Sequence, residues 1–258
     1  MTDTTTPPRG FSTEEMSQLL DLLEGADTVE LKLTVPDGSH RSAVVALGMD
    51  PLEANLRQVF FFDTKDLLLN HHGVIVRARR AQGGVDDSVV KLRPVVPNEL
   101  PNKLRKLPDF GVEVDAMPGG FVCSARLKAS LRTGKVKEAV SGERTIRSLF
   151  TKQQRTFLAE HAPGGAGIED LSVLGPITVL KLKFSPREYG RRLVAELWNY
   201  PDGSRILELS TKCAPAEAFD VAAKTRAFLD GRGIDLTGEQ ATKTKTALEF
   251  FARERPSA

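Results

Sequence analysis

Cysteine is scarce in this chain of 258 residues: Cys123 and Cys213 are the only two, far apart, with no CxxC spacing and no histidine cluster nearby. That pattern gives no zinc ribbon and requires no disulfide, though it leaves a Cys123–Cys213 bridge open, and it predicts free thiols in a reducing cytosol. No apolar run approaches the ~20 residues that would span a bilayer. The first ten residues, Met-Thr-Asp-Thr-Thr-Thr-Pro-Pro-Arg-Gly, lack the basic-then-apolar order of a signal peptide. A cytoplasmic protein is expected. An excess of one charge is missing too: 36 Lys and Arg balance 34 Asp and Glu, for a formal net charge of +2. A general nucleic-acid binder would carry a large basic surplus. Nucleophilic chemistry has no support, since there is no G-x-S-x-G and no cysteine with a plausible histidine partner. The glycines at 163 to 167 are not a phosphate cradle, because no Lys-Ser/Thr follows them.

What is present is charge in alternation. Glu30 and Lys32, then Arg77 and Arg79, then Lys91 and Arg93 each stand two residues apart. Every second side chain of a strand points to the same face. Singly, each pair suits a solvated strand face with cross-strand ion pairs. Together they suit a closed, wet interior that holds a polyanion, and phosphate is the first ligand class to consider. The opposite-face residues Val29, Leu31, Leu33, Val74 and Val76 are apolar, as a helix-covered outer wall requires.

Element signals agree with such a barrel. Residues 12 to 24 read as an amphipathic helix opened by Ser12-Thr-Glu-Glu and stopped at Gly25. Strands are predicted at 28 to 35 and 41 to 47, joined as a hairpin through Pro36-Asp-Gly38, and near 58 to 63. A short helix near 65 to 71 precedes strands at 74 to 80 and 88 to 93. Residues 94 to 108 hold four prolines and read as an irregular loop. Further strands fall at 111 to 115, 121 to 128, 177 to 184, 191 to 199 and 205 to 211. Helices fall at 142 to 161, 215 to 231 and 238 to 253. The expected class is α+β, an antiparallel closed barrel with flanking helices. Residues 1 to 11 read as a disordered lead, and residues 12 to 258 as a single domain.

A family resemblance rests on the same residues. Glu30-x-Lys32 resembles the end of the ExExK signature of the CYTH superfamily, the triphosphate tunnel metalloenzymes. Phe61-Phe-Asp63-Thr64, then Leu67 to Leu69, then Gly73-x-x-x-Arg77-x-Arg79-Arg80 resembles that family's second strand, short helix and third strand. Lys91-Leu-Arg93, Glu113-Val-Asp115, Lys181-Leu-Lys183, Glu196 and Glu208 continue in order, so the resemblance covers roughly residues 26 to 213. It implies a relative of inorganic triphosphatase, thiamine triphosphatase and class IV adenylyl cyclase. The implied ligand is a triphosphate-containing small molecule or inorganic polyphosphate, gripped by Lys32, Arg77, Arg79, Lys91, Arg93, Lys181 and Lys183. Lys32 and Arg79 are the implied catalytic cations. Glu30, Glu196 and Glu208 fall where the family places its metal-binding acids, and Mg²⁺ or Mn²⁺ suits carboxylate oxygens.

Two departures stand out: Thr28 replaces the first Glu of ExExK, and Ser210 replaces the second acid of the terminal pair. Three readings follow. A metal-dependent phosphohydrolase would cleave a terminal phosphoanhydride, an adenylyl cyclase would form cyclic AMP from ATP, and a non-catalytic module would bind phosphate or nucleotide through a degraded metal site. Glu113 and Asp115 are further acids that can orient basic partners. Arg80, His71 and His72 are expected at the surface, Trp198 in the core or at the rim, and the basic residues at 126, 128, 132, 135 and 137 in solvent, with Arg126 able to reach the tunnel.

Overall fold

The computed structural model describes residues 12–235, 240 and 243–254; the expected lead at 1 to 11 lies outside them. In chain order the strands are β1 (Thr28–Val35), β2 (Asn55–Asp63), β3 (Val74–Ala81), β4 (Asp86–Leu92), β5 (Phe110–Met117), β6 (Gly120–Leu131), β7 (Ser172–Phe184), β8 (Leu193–Asn199) and β9 (Arg205–Cys213). The helices are α1 (Thr13–Glu24), α2 (His40–Ala46), α3 (Leu68–His71), α4 (Asn102–Arg105), α5 (Lys135–Val140), α6 (Lys152–His161), α7 (Ala218–Gly231) and α8 (Lys243–Glu254). The nine strands close into one barrel in the order β1-β5-β6-β4-β3-β2-β7-β8-β9, with β9 returning to β1. Every pairing is antiparallel except β1 with β5, which is parallel. No helix among the described residues is long and apolar enough to cross a membrane.

The outer wall is apolar and helix-covered. Val29 and Leu31 pack under α1 and α7 through Leu19, Leu23, Ala218 and Val221. Val74, Val76 and Val90 pack under α5 and α6 through Val136, Leu149, Phe157 and Leu158. Leu207 and Leu209 meet Ala43 and Leu47, at and just beyond α2, and Leu229 of α7. Local chemistry starts these helices where it should: Ser12 and Glu15 form a reciprocal capping box for α1, and Thr151 with Gln154 does so for α6. All three rings of Phe60, Phe61 and Phe62 are buried, Phe61 inside the barrel and its neighbours outside.

Several elements differ from expectation: the loop expected at 94 to 108 contains a 3₁₀ turn at Pro97–Glu99 and α4, and β2 begins at Asn55 rather than near 58. The predicted strand at 41 to 47 is α2: residues 37–39 make a 3₁₀ turn, and Ala43 and Leu47, four apart, carry the buried face. The predicted helix at 142 to 161 divides into a 3₁₀ turn at Ile146–Leu149 and α6, and it is preceded by α5, whose buried Val136 and Ala139 were too short a run to signal a helix. β7 starts five residues before the predicted 177, because the strand continues through Gly175-Pro176 by an irregular register opposite Val59 and Phe61. Gly175 is required there: its φ is +138°, and a Cβ would lie 2.9 Å from the Val59 carbonyl oxygen. The first residues of the predicted helix at 238 to 253 fall partly outside the described residues, and α8 covers the rest.

One end of the barrel interior is dry. Val59, Phe61, Ile177, Val179, Trp198 and Ile206 point inward and meet Ala247, Leu248, Phe250 and Phe251 of α8. The tunnel is therefore blind, plugged by the last helix.

Candidate functional site: a charged tunnel with two unlike halves

Strand parity carries the remaining interior positions, and register decides which charges meet. The parallel pairing of β1 with β5 sets Thr28 beside Glu113 and Glu30 beside Asp115. Glu30, Glu113 and Asp115 thereby bring carboxylate oxygens within 4.8 Å of one another, a cluster that can hold a metal ion. Its donor set, all carboxylate oxygen, fits a hard divalent cation. The cluster is already wrapped in positive charge. Lys32 Nζ lies 2.8 Å from Asp115 Oδ1 and 3.4 Å from Glu30. Asp115 Oδ1 still has no well-directed hydrogen bond. Lys91 and Arg93 each stand 3.5 Å from the other Asp115 oxygen. Lys212 pairs with Glu113 and stands 3.6 Å from Glu30. The Thr28 hydroxyl lies 3.4 Å from Glu113 Oε2 as a donor.

These contacts set the protonation states. Burial opposes the Asp115 charge, but Lys32 and Lys91 outweigh it and hold the carboxyl well below the usual carboxylate range. Burial likewise opposes the Glu30 charge, and Lys32 and Lys212 keep it ionised. Lys32 answers in kind: desolvation works against its ammonium, yet Asp115 and Glu30 raise its pKa above the normal lysine value. The three expected metal acids all face the interior, where Lys243 acts on Glu30 and Glu208 acts on Lys32. Glu30 joins Glu113 and Asp115, whereas Glu196 and Glu208 face each other directly across β8 and β9. That second pair holds Lys181 Nζ, 2.6 Å from Glu196, and Lys243 Nζ, 2.5 Å from Glu196 and 2.7 Å from Glu208. Trp198 donates its Nε1–H to Glu196 at 3.2 Å and lies under Lys243, so it is a core aromatic.

The other half is built from arginine. Arg79 donates from Nε to both Asp87 oxygens at 3.0 Å and adds Nη2 at 2.9 Å, a planar clamp. Around it a cavity of about 300 Å³ opens between Arg57, Asp87, Lys128, Lys181 and Lys183. Lys183 is exposed at the mouth, and Arg77 lies two residues farther along β3 on the same face as Arg79. Arg57 and Arg77 form no ion pair with any described residue, and the Nε–H of each is buried without a hydrogen-bond partner. Buried and beside Arg79, Arg77 is pushed down to about 10, and Arg57 is lowered for the same reasons. Burial also lowers Lys128 and Lys181, and it brings Lys91 to about 8. A slightly larger cavity, about 360 Å³, lies by residues 24–27 and 97–105; its Arg105 spends one nitrogen on the Gly25 and Pro97 carbonyls.

The seven expected phosphate ligands thus divide. Arg77 and Lys183 are free of carboxylates, Arg79 is clamped by Asp87, Lys181 by Glu196, and Lys32, Lys91 and Arg93 by Asp115. Sequence reasoning missed Arg57, which precedes the predicted start of its strand, and Lys243. It also put Lys128 in solvent; the residue lines the cavity instead, since it shares the inward parity of Ser124 and Arg126. Arg80 bonds Gln58 on the outer face, and His71 and His72 are exposed, as expected.

No family model and no curated protein sequence matches this chain. Solved structures do. A Hippeastrum protein, an adenylyl cyclase candidate found to have a dominant triphosphatase activity, is 18% identical with a TM-score of 0.64 over 87% of this chain and 96% of its own. An adenylate cyclase candidate from Bacillus halodurans is 13% identical with a TM-score of 0.59 over 85% and 97%. At such identities the likeness shows the fold. It is the fold that the resemblance to the CYTH superfamily implies, a closed charged tunnel with flanking helices.

Proposed function

We propose that the arginine half of the tunnel binds a triphosphate or short polyphosphate, and that the protein hydrolyses a terminal phosphoanhydride with a divalent ion, Mg²⁺ or Mn²⁺. One observation supports the anion above all: two buried guanidinium Nε–H groups, on Arg57 and Arg77, have no partner. An unsatisfied buried donor costs about 1–3 kcal/mol, more when charged, and phosphate oxygens would satisfy both. Arg57 lines the cavity together with Arg79, Lys128, Lys181 and Lys183, which can take the following phosphates, and Arg77 lies two residues beyond Arg79 on the same face of β3.

Glu30, Glu113 and Asp115 are the residues that would hold the ion, with Thr28 helping to orient Glu113. When bound, such an ion supplies charge stabilisation and a bound water of lowered pKa. Lys32, fixed by Asp115, and Arg79, fixed by Asp87, are rigid cations suited to charge developing on the transferred phosphoryl group. The dominant triphosphatase activity of the Hippeastrum protein favours hydrolysis over cyclisation. The two buried, unbridged cysteines suit the cytoplasm as the setting.

The ammonium groups already on these acids favour a second reading, a binding module without turnover. Phosphate release from tripolyphosphate and ATP, with and without Mg²⁺ or Mn²⁺ and with cyclic AMP followed in parallel, separates the cases. Metal-dependent release is the expected result. Tripolyphosphate should also raise the melting temperature more than orthophosphate does, because a longer anion meets more cations and a native-state ligand stabilises by mass action. A stabilised protein without turnover would establish the binding module, and equal shifts for the two anions would remove the tunnel reading.

A further inference from the structure

The Glu196–Glu208 pair poses a physical problem that the chain has solved in an unusual way. Like charges directly opposite on neighbouring antiparallel strands destabilise the pair. These two glutamates are cross-strand partners, and both are largely buried. Something positive must lie between them. Lys181, the partner of Glu196 on β7, reaches only Oε1 of Glu196. The cation that bridges the two comes from far along the chain: Lys243, the first residue of α8, contacts Glu196 Oε2 and Glu208 Oε1 together.

The surroundings fix the ammonium. Trp198 presents its ring 5.2 Å from Nζ, the Tyr200 hydroxyl donates to the Lys243 carbonyl at 3.0 Å, and Gln240 accepts from the Thr34 amide at 2.9 Å. The apolar face of α8 then fills the barrel end behind it.

We propose that the Glu196–Glu208 pair is a built site for the ammonium of Lys243 and takes no divalent ion while α8 is docked, so that the last helix supplies to the tunnel the charge a second metal would supply. This inference is independent of which anion the arginine half binds. It makes α8 and a metal competitors for one pair of carboxylates.

The test needs no phosphate. Mn²⁺ binding to the full chain is counted by the spectrum of free Mn²⁺, and melting temperature is followed in parallel. In wild type, Glu208→Gln should leave the Mn²⁺ stoichiometry unchanged. Lys243→Met should gain one Mn²⁺ per chain and lose that gain again in Lys243→Met with Glu208→Gln. Mn²⁺ should also raise the melting temperature of Lys243→Met more than Na⁺ at equal ionic strength does. If Lys243→Met alone folds poorly, the double variant, which removes one of the two facing charges, should melt above it. Loss of one Mn²⁺ from wild type on Glu208→Gln would overturn the proposal, and so would a Lys243→Met protein with no added ion. Either failure would leave tripolyphosphate binding by Arg57 and Arg77 untouched.

Discussion

The two halves of the tunnel contain similar side chains and solve opposite problems. Around Asp115 and around Glu196, every buried acid has at least one ammonium or guanidinium on it, and the charges close among themselves. Around Arg79 one acid, Asp87, makes the only ion pair that the cavity's Arg57, Arg79 and Lys128 have among the described residues, while Glu196 acts on Arg57 and Arg77 from farther off. In the first arrangement each of these acids is paired with a cation, and only Asp115 Oδ1 lacks a well-directed hydrogen bond. The second leaves two buried Nε–H donors without acceptors and depresses the pKa of its own cations, the two features on which the proposed anion site rests. Counting basic residues would not distinguish them. What matters is which carboxylates the strand register brings within reach.

The largest expected effect comes from converting the closed half into an open one. Asp115→Asn strips the buried partner from Lys32, Lys91 and Arg93. Removing one member of a buried ion pair destabilises by about 3–5 kcal/mol. For a chain of this size each kcal/mol moves the melting temperature by roughly 2–4 °C, so a drop on the order of 10 °C is expected by calorimetry. Tripolyphosphate should recover more of that loss than the shift it gives wild type, because Lys91 and Arg93 have been freed while Lys32 keeps Glu30. A small drop, with an unchanged tripolyphosphate shift, would mean that the acids are not what neutralises this half.

Next comes the open half. Arg77→Gln keeps much of the volume and removes a charge that no carboxylate contacts, although Asp87, Glu196 and Glu30 act on it from a distance. The free protein should therefore lose little stability or gain some. Charge-assisted hydrogen bonds contribute about 1.5–3 kcal/mol, so tripolyphosphate affinity should fall roughly 10- to 150-fold by calorimetric titration. Arg80→Gln, one residue on but facing outward beside Gln58, should change affinity by less than about twofold at physiological salt. A large loss of stability in Arg77→Gln, with affinity kept, would reverse the assignment of the two halves.

How much of this was legible in sequence follows from the range of each interaction. Period-two alternation showed the inward faces of β1, β3 and β4, because parity is a property of a few consecutive residues, and the family resemblance supplied Lys181, Lys183, Glu196 and Glu208 on β7, β8 and β9. The alternation also gave the apolar outer wall. Pairing is not local, and here the reading ran out: nothing near Glu30 announces a parallel neighbour, so the meeting of Glu30 with Glu113 and Asp115 was not foreseen. Ala43 and Leu47 failed as a signal because Val44, Val45 and Ala46 beside them mimic a strand. Lys243 stands in Lys-Thr-Lys-Thr, which reads as the wet start of a helix; only docking of α8 into the barrel makes it a tunnel residue. Ser210 and Thr28, read as lost metal ligands, acquire local reasons: Ser210 lies across from Lys32, and Thr28 steadies Glu113.

The smallest effect is expected at the seam between the halves, where Lys91 touches Asp115 yet titrates like the uncompensated cations, near 8, because burial outweighs that one carboxylate. The unfolded lysine titrates near ~10.4, so between about pH 8 and 10 the unfolded chain holds a proton that the folded chain lacks. Stability of the free protein should therefore rise with pH across that window from this group alone. A bound polyphosphate adds negative charge nearby and draws the proton back. Binding at pH 8.5 should then take up a proton at Lys91, and affinity should fall by up to about tenfold per pH unit above 8. Calorimetric titrations with tripolyphosphate in two buffers of different ionisation enthalpy, at pH 6.5 and 8.5, measure the uptake. Protons taken by the anion itself are common to every variant, so the readout is the difference between wild type and Lys91→Met. That difference should be up to about one proton at pH 8.5 and near zero at pH 6.5, where wild-type Lys91 is already charged. An identical uptake in Lys91→Met at pH 8.5 would place Lys91 wholly in the self-neutralised half and move the boundary of the anion site toward Arg77.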